Sequence, residues 1–197
     1  MAWVLMTVEP DNDKQDAILD AAFGVFASYG YRRTTMEDIA QAAGLSRSAL
    51  YLHFRNKEDI FRSLTKRHFD ASIAEMEEML NRPGQTMEAA LYAAFLAKDG
   101  HLMEIVLTTP HGAELMDAGF SASPDVVKMA VMRAADVLTR WLERRVIPPD
   151  LGPARALAEM IVSALMGFKS TARTVEDLRA SQRQLACVIA RALGPGT

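Results

Sequence analysis

Only one cysteine, Cys187, occurs in 197 residues. No internal disulfide can form, no cysteine cluster can hold zinc, and a chain without cystine suits a reducing cytoplasm. Aromatic residues are only 7%, and Val and Ile are few beside Ala and Met, a composition that favours helix over strand. No apolar run reaches the ~20 residues that a membrane-spanning helix needs. The apolar start, Met1 to Val8, has no basic flank and no small-residue cleavage pattern. It reads as an N-terminal arm over 1–10, not a signal peptide. An excess of basic charge is missing too: 22 Lys and Arg against 25 Asp and Glu leave a net charge of -3. That excludes a basic coat over the whole chain, so any contact with nucleic acid has to come from a local patch. No nucleophile elbow, phosphate loop or HExxH motif occurs. The 4 His residues are scattered, with no paired general base and no metal-ligand spacing. Neither a cofactor nor a metal is expected.

What is present is helical pattern. Hydrophobic residues make up 50% and charged residues 24%, the balance of a soluble globular chain. Ile18, Ala22, Val25, Phe26 and Tyr29 recur at helical spacing and predict a helix over 13–29. Asp11, Asp13 and Asp16 suit its positive N-terminal end, and Gly30 suits its C-cap. Thr34 or Thr35 then offers an N-cap, and Asp38 follows Thr35 at capping-box spacing. A short helix over 36–43 stops at Gly44, Ser46 caps another over 47–53 or 47–54, and a long helix runs over 57–81. Ile39, Ala40, Ala43, Leu45, Leu50 and Phe54 are the positions that pack the two short helices on the first. After the breaker run Asn81-Arg82-Pro83-Gly84, helices are predicted over 86–98, 101–108, 111–118, 124–146, 153–172 and 175–193. The fold class is all-α: an arm over 1–10, a three-helix helix-turn-helix domain over 11–60, and a larger helical domain over 61–197, with the long helix linking the two.

The tight turn at Gly44 joins two short helices, and the segment around it is locally basic. Arg32, Arg33, Arg47, Arg55 and Lys57 outweigh Glu37 and Asp38, giving net +3 over residues 30–57. Such a patch suits phosphate contact. The second short helix opens at Arg47, which can pair bidentately with guanine; Ser48 can bond to several bases, and the Ala49 methyl can touch a thymine methyl. Three motifs lie in this stretch: G-Y-R-R-T-T over 30–35, I-A-Q-A-A-G-L-S over 39–46 and L-Y-L-H-F-R-N-K-E over 50–58. On these motifs the sequence resembles the DNA-binding domain of the TetR (tetracycline repressor) family of bacterial transcriptional regulators. The resemblance implies a double-stranded DNA operator as partner, a homodimer, a small-molecule effector and a cytoplasmic setting. It also implies phosphate contacts from Thr34 or Thr35, Tyr51, His53 and Lys57. Plainer roles stand beside these: Arg32 and Arg33 as solvated loop charges, Tyr51 as a packing residue, His53 as a surface imidazole. Two positions depart from the commonest pattern of the family, Ser48 where Gly is frequent and Leu52 where a polar residue is frequent.

In the second domain Tyr92, Phe95, Met103, Leu107, Met129, Met132, Trp141 and Met166 are the candidate lining of an effector pocket, because aromatic and Met side chains adapt to apolar ligands. Met side chains at helical spacing more often belong to ordinary core, which is the plainer reading of the same residues. His101 and His111 are candidate polar contacts. The expected effector is apolar or amphipathic. Ala156, Met160, Ser163 and Gly167 on one helix, with Leu178, Leu185, Val188 and Ile189 on the last, are the candidate dimer interface, where small residues permit close helix approach; internal packing is the alternative. The expected function is a repressor that reads a pseudo-palindrome with two helices about 34–36 Å apart and leaves it on binding the effector. A helical interaction module and a small helical enzyme are the competing readings.

Overall fold

The computed structural model describes residues 11–194. The arm expected over 1–10 lies outside them, as do the side chains of Asp11, Asn12, His101, Gly119 and Phe120. The described residues form nine α-helices: α1 (Asp11–Tyr29), α2 (Met36–Ala42), α3 (Arg47–His53), α4 (Lys57–Asn81), α5 (Met87–Thr108), α6 (Gly112–Ala122), α7 (Pro124–Leu142), α8 (Ala154–Thr171) and α9 (Val175–Leu193). A 3-10 turn, Pro149–Leu151, precedes α8.

The periodicity locates most of these elements, with four differences: α6, expected over 111–118, runs on to Ala122, and three more follow. Where the sequence predicts two helices over 86–108, α5 is continuous through Gly100. Glycine inside a helix costs about 1 kcal/mol relative to alanine, too little to stop a helix whose Leu91, Ala94 and Phe95 are fully buried. Helix α7 ends at Leu142, four residues before the expected end at 146. Tyr29, expected on the apolar face of α1, is exposed.

The chain divides into two compact units. The first takes the described residues up to Leu64 together with Thr109–Ala122. Its core joins Ile18, Ala22 and Phe26 of α1, Ile39 and Ala40 of α2, Leu50 of α3 and Ile60 and Phe61 of α4. Leu115 and Ala118 of α6 belong to the same core. Packing therefore groups α6 with the first unit, although its place in the sequence lies inside the expected 61–197 domain. Phe26, Tyr31 and Phe61 meet as an aromatic cluster, with ring centroids 4.8–5.6 Å apart. Burying each such side chain contributes about 1.5–3 kcal/mol.

The second unit comprises Thr65–Thr108 and the described residues from Ser123 onward. Helix α5 packs on α9 and α7 on α8, around Met76, Phe95, Leu138, Trp141, Ile161 and Leu165. The buried Trp141 indole N–H donates to the Leu80 carbonyl at 2.7 Å, tying the end of α4 to α7. Arg133 pairs with Asp70, Arg140 with Glu77, and Arg144 with Asn81, each pair separated by 63 residues. The constant offset means that α4 and α7 run parallel in fixed register; the first two pairs, seven residues apart, share one face, and Arg144 continues the register from the turn after α7. Exposed pairs of this kind stabilise little; they fix register more than they hold the core.

Candidate nucleic-acid interface

The turn between α1 and α2 is built from the backbone outward. Gly30 has φ 81, a conformation that side chains disfavour. A Cβ there would stand 2.6 Å from Glu114 Oε2 of α6. That carboxylate accepts the Arg32 backbone N–H at 2.7 Å. Thr34 is buried and its hydroxyl donates to the Gly30 carbonyl at 2.7 Å. Thr35, the exposed neighbour, is the N-cap of α2: Asp38 N–H donates to the Thr35 hydroxyl at 3.2 Å and Thr35 N–H to the Asp38 carboxylate at 2.8 Å. The Thr35 hydroxyl also donates to the Asp38 carboxylate at 2.7 Å, and this bond, with that from the Thr35 N–H, holds the Asp38 carboxyl below its ordinary pKa. The sequence left open which threonine caps; burial and bonding assign the cap to Thr35 and turn-locking to Thr34.

Helix α3 follows from Ser46, whose hydroxyl accepts the Ala49 N–H at 3.1 Å. Leu50 is buried, and Phe54, the C-cap, returns to the core. Helical geometry then sends Arg47 and Tyr51 to one outward strip and Ser48 and Leu52 to the next. All four are exposed. The Arg47 guanidinium lies over the Tyr51 ring, 5.7 Å from its centroid, and side-chain hydrogen bonding to Tyr51 raises the Arg47 pKa further. Leu52 is the residue that the sequence reading left without a role, yet it is 85% exposed on this strip. Ala49 and His53 are half-buried beside it.

Lys57 is held against the turn. Its ammonium donates to the carbonyls of Tyr31 at 2.7 Å, Arg32 at 3.2 Å and Thr34 at 2.9 Å, and it lies 4.6 Å from the Tyr31 ring centroid. An ammonium has three donors, and in this structure all three close the α1–α2 turn. The start of α4 is likewise occupied: Asn56 Oδ1 accepts the Asp59 N–H at 2.8 Å, and Glu58 and Asp59 stand in the first turn. Arg55 pairs with Asp59 at 3.2 Å, and this bond holds the Asp59 carboxyl below its ordinary range. Arg32 and Arg33 are exposed on the turn. Arg32, Arg33, Arg47, Ser48, Tyr51 and Leu52 are thus all exposed, while Lys57 and the buried Thr34 hold the α1–α2 turn. Glu114 was missed because its contact with the turn spans 82 residues, a separation no local pattern reveals.

The pocket candidates of the second unit do not share one environment. Phe95, Met103 and Trp141 are buried core, and Tyr92 and Leu107 are half-buried. Met129, Met132 and Met166 are exposed, because they sit off the buried stripes of α7 and α8 (Ala134, Leu138 and Trp141; Ile161 and Leu165). A cleft of about 750 Å³ is lined instead by Leu80, Gln85, Met87, Trp141, Arg145 and their neighbours. Arg145 stacks on the Trp141 ring, 3.2 Å from its centroid. The interface candidates also separate. Ala156, Met160, Ser163 and Gly167 form one exposed strip along α8, and Val188 is exposed on α9. Leu185 is half-buried, while Leu178 and Ile189 are buried within their own subunit; the apolar period of α9 serves its packing on α5. Among the described residues no helix is long and apolar enough to cross a membrane, and no group of His, Cys, Asp or Glu is placed to hold a metal.

Comparison with known proteins bears on this geometry. The family model for bacterial regulatory proteins of the tetR family matches residues 18–64, the span of the turn, α2 and α3. The transcriptional repressor ComR of Escherichia coli is 33% identical over 175 residues, which is 81% of this chain and 79% of that protein. The transcriptional repressor KstR2 of Mycobacterium tuberculosis is 28% identical over 144 residues, 71% of this chain and 72% of its own. A solved TetR-family structure from Mesorhizobium loti has the same fold, with a TM-score of 0.65 at 20% identity, over 90% of this chain and 95% of the other. The chain belongs to the TetR family of bacterial DNA-binding transcriptional regulators, a non-enzymatic family.

Proposed function

We propose that this regulator is a repressor, that it binds a pseudo-palindromic operator as a homodimer, and that a small effector bound in its second unit releases it. The observation that carries the reading is the outward strip of α3, with Arg47, Ser48, Tyr51 and Leu52 exposed above a buried Leu50. A helix held from beneath by its own core, with a cation at its first turn, suits entry into the major groove. In this reading Arg47 and Ser48 meet base edges, Tyr51 meets backbone, and Leu52 meets a thymine methyl. Arg32 and Arg33 supply the flanking positive charge. The strip of Ala156, Met160, Ser163 and Gly167 on α8, with Val188 of α9, supports the dimer: the residues are small or apolar, they are exposed, and a Cβ at Gly167 would meet nothing within 4 Å. The printed names of ComR and KstR2 as repressors favour repression. Fluorescence anisotropy with the DNA upstream of the gene, beside sedimentation of the complex, tests the reading. Two protomers on one symmetric site support it, and equal affinity for scrambled DNA or a monomeric complex overturns it.

A further inference from the structure

Inside the second unit three charged side chains meet where α5 approaches α8. Lys98 and Asp99 are consecutive on α5, and Lys169 lies in the last turn of α8. Their side chains are 8%, 2% and 9% exposed. The Lys98 ammonium donates to both Asp99 oxygens at 3.1 Å, and Lys169 donates to Oδ1 at 2.8 Å. The charges do not balance, since two ammoniums face one carboxylate. Each ammonium carries three donors, so these three bonds leave half of the donors without an acceptor among the described residues. A buried cation without a counter-charge is costly, and the cost is visible at Lys98: burial, aided by the Lys169 charge, pulls its pKa below 10.5. Burial alone would raise the Asp99 carboxyl; the two ammoniums more than offset that and hold it below 3.8.

Among the described residues no second anion acts on the pair: the charges that shift Lys98 and Asp99 are each other's and that of Lys169. One helical turn from Asp99 are Phe95 and Met103, and one turn from Lys169 is Leu165; all are buried and apolar. The fully buried Gln182 donates to the Phe95 carbonyl at 3.1 Å, while its Oε1 has no partner among the described residues. Unused donors, surplus positive charge and apolar neighbours together describe a place for one negative group on an apolar body.

We propose that the Lys98–Asp99–Lys169 cluster seats the anionic head group of an amphipathic organic acid, the effector of this regulator. The inference rests on the effector reading above and narrows its chemistry: the ligand carries a single negative charge, and Lys169 and Lys98 donate to it across Asp99. The carboxylate stays acceptor to both lysines, and the ligand takes the donors that Asp99 does not fill.

The test uses the full chain in a buffer free of phosphate and carboxylate. Octanoate, decanoate, benzoate and phenylacetate are compared with their primary amides by thermal denaturation and calorimetry. Carboxylates should raise the Tm and bind roughly 10- to 100-fold more tightly than the matched amides, the gap expected of charge-assisted hydrogen bonds. Lys169→Met leaves a balanced Lys98–Asp99 pair. It should fold at least as stably without ligand and lose the carboxylate response, whereas Lys169→Arg should keep it. Amides as tight as acids, no binding by any of the four acids, or a Lys169→Met protein that still responds would each overturn the seat. If Lys169→Met does not fold, Lys169→Gln, which can keep a hydrogen bond to Asp99 without the charge, carries the test: it should lose the carboxylate response, and a Gln variant that keeps it overturns the seat. Operator affinity, measured on the same samples, separates the two readings. Acids that bind through Lys169 without releasing DNA support the seat and overturn the effector role. An uncharged compound that releases DNA, with no acid bound, supports the effector role and overturns the seat.

Discussion

Arg47 and Lys57 are both cations of the same basic segment, 30–57, and their surroundings differ. Arg47 is exposed on α3; replacing it by Ala should lower discrimination at one operator position by about 1–3 kcal/mol, read as operator-to-random affinity ratios, with little change in stability. Lys57 closes a turn through three carbonyls. Lys57→Ala should therefore destabilise the folded chain by about 1–3 kcal/mol in urea denaturation. We expect its salt slope for DNA binding to stay near that of the parent, because an ammonium engaged by three carbonyls has no donor left over for a phosphate and so releases no counterion. A slope lowered by about one with unchanged stability would restore Lys57 to the DNA contact. At Asp99 the residue scale reaches pH. Its pKa in the folded chain lies below 3.8, so the stability it contributes is complete above the unfolded value and is lost as pH falls through the lower native one. Asp99→Asn should flatten that acid limb and leave the protein less stable at neutral pH, as followed by circular dichroism across a pH series.

Among the elements, α5 shows where local pattern misleads and where it suffices. Gly100 looked like a break because glycine punctuates helices, but tertiary packing of Leu91, Ala94 and Phe95 overrides a weak propensity. At Gly100 a Cβ would meet only Leu96, at 3.7–3.8 Å, and its φ is not positive. Gly100→Ala should raise stability by about 0.5–1 kcal/mol in thermal denaturation. At Gly44 the space is equally open, but φ is 68; there the glycine is required by backbone conformation. The short helices were legible for the opposite reason. Ser46, Thr35 with Asp38, and the buried Leu50 and Phe54 are local signals at fixed offsets, and the structure honours each. What stayed hidden depends on distant partners: Glu114 on the Arg32 amide, three carbonyls around Lys57, and the pairing of α5 with Lys169. The α9 pattern was visible as apolar period, but period does not say whether Leu178 and Ile189 face their own core or another chain.

At the scale of the whole molecule, association is the property that organises the reading. The α8 strip predicts that Met160→Lys, at a side chain 53% exposed, places a charge in a dimer seam. The variant should keep its fold by circular dichroism, sediment as a monomer and lose operator affinity, because each half-site would then be held by one protomer. A variant that stays dimeric would move the seam elsewhere. The same chain also leaves its first unit at Leu64 and comes back to it at Thr109–Ala122, so that Leu115 and Ala118 complete a core begun almost a hundred positions earlier. Heads of such regulators are attractive parts for transplantation between sensors. Here a graft cut after Leu64 would carry a raw hydrophobic wound and an unanswered Arg32 amide. A chimera has to borrow two pieces of sequence, the head up to Leu64 and the α6 stretch that closes its core.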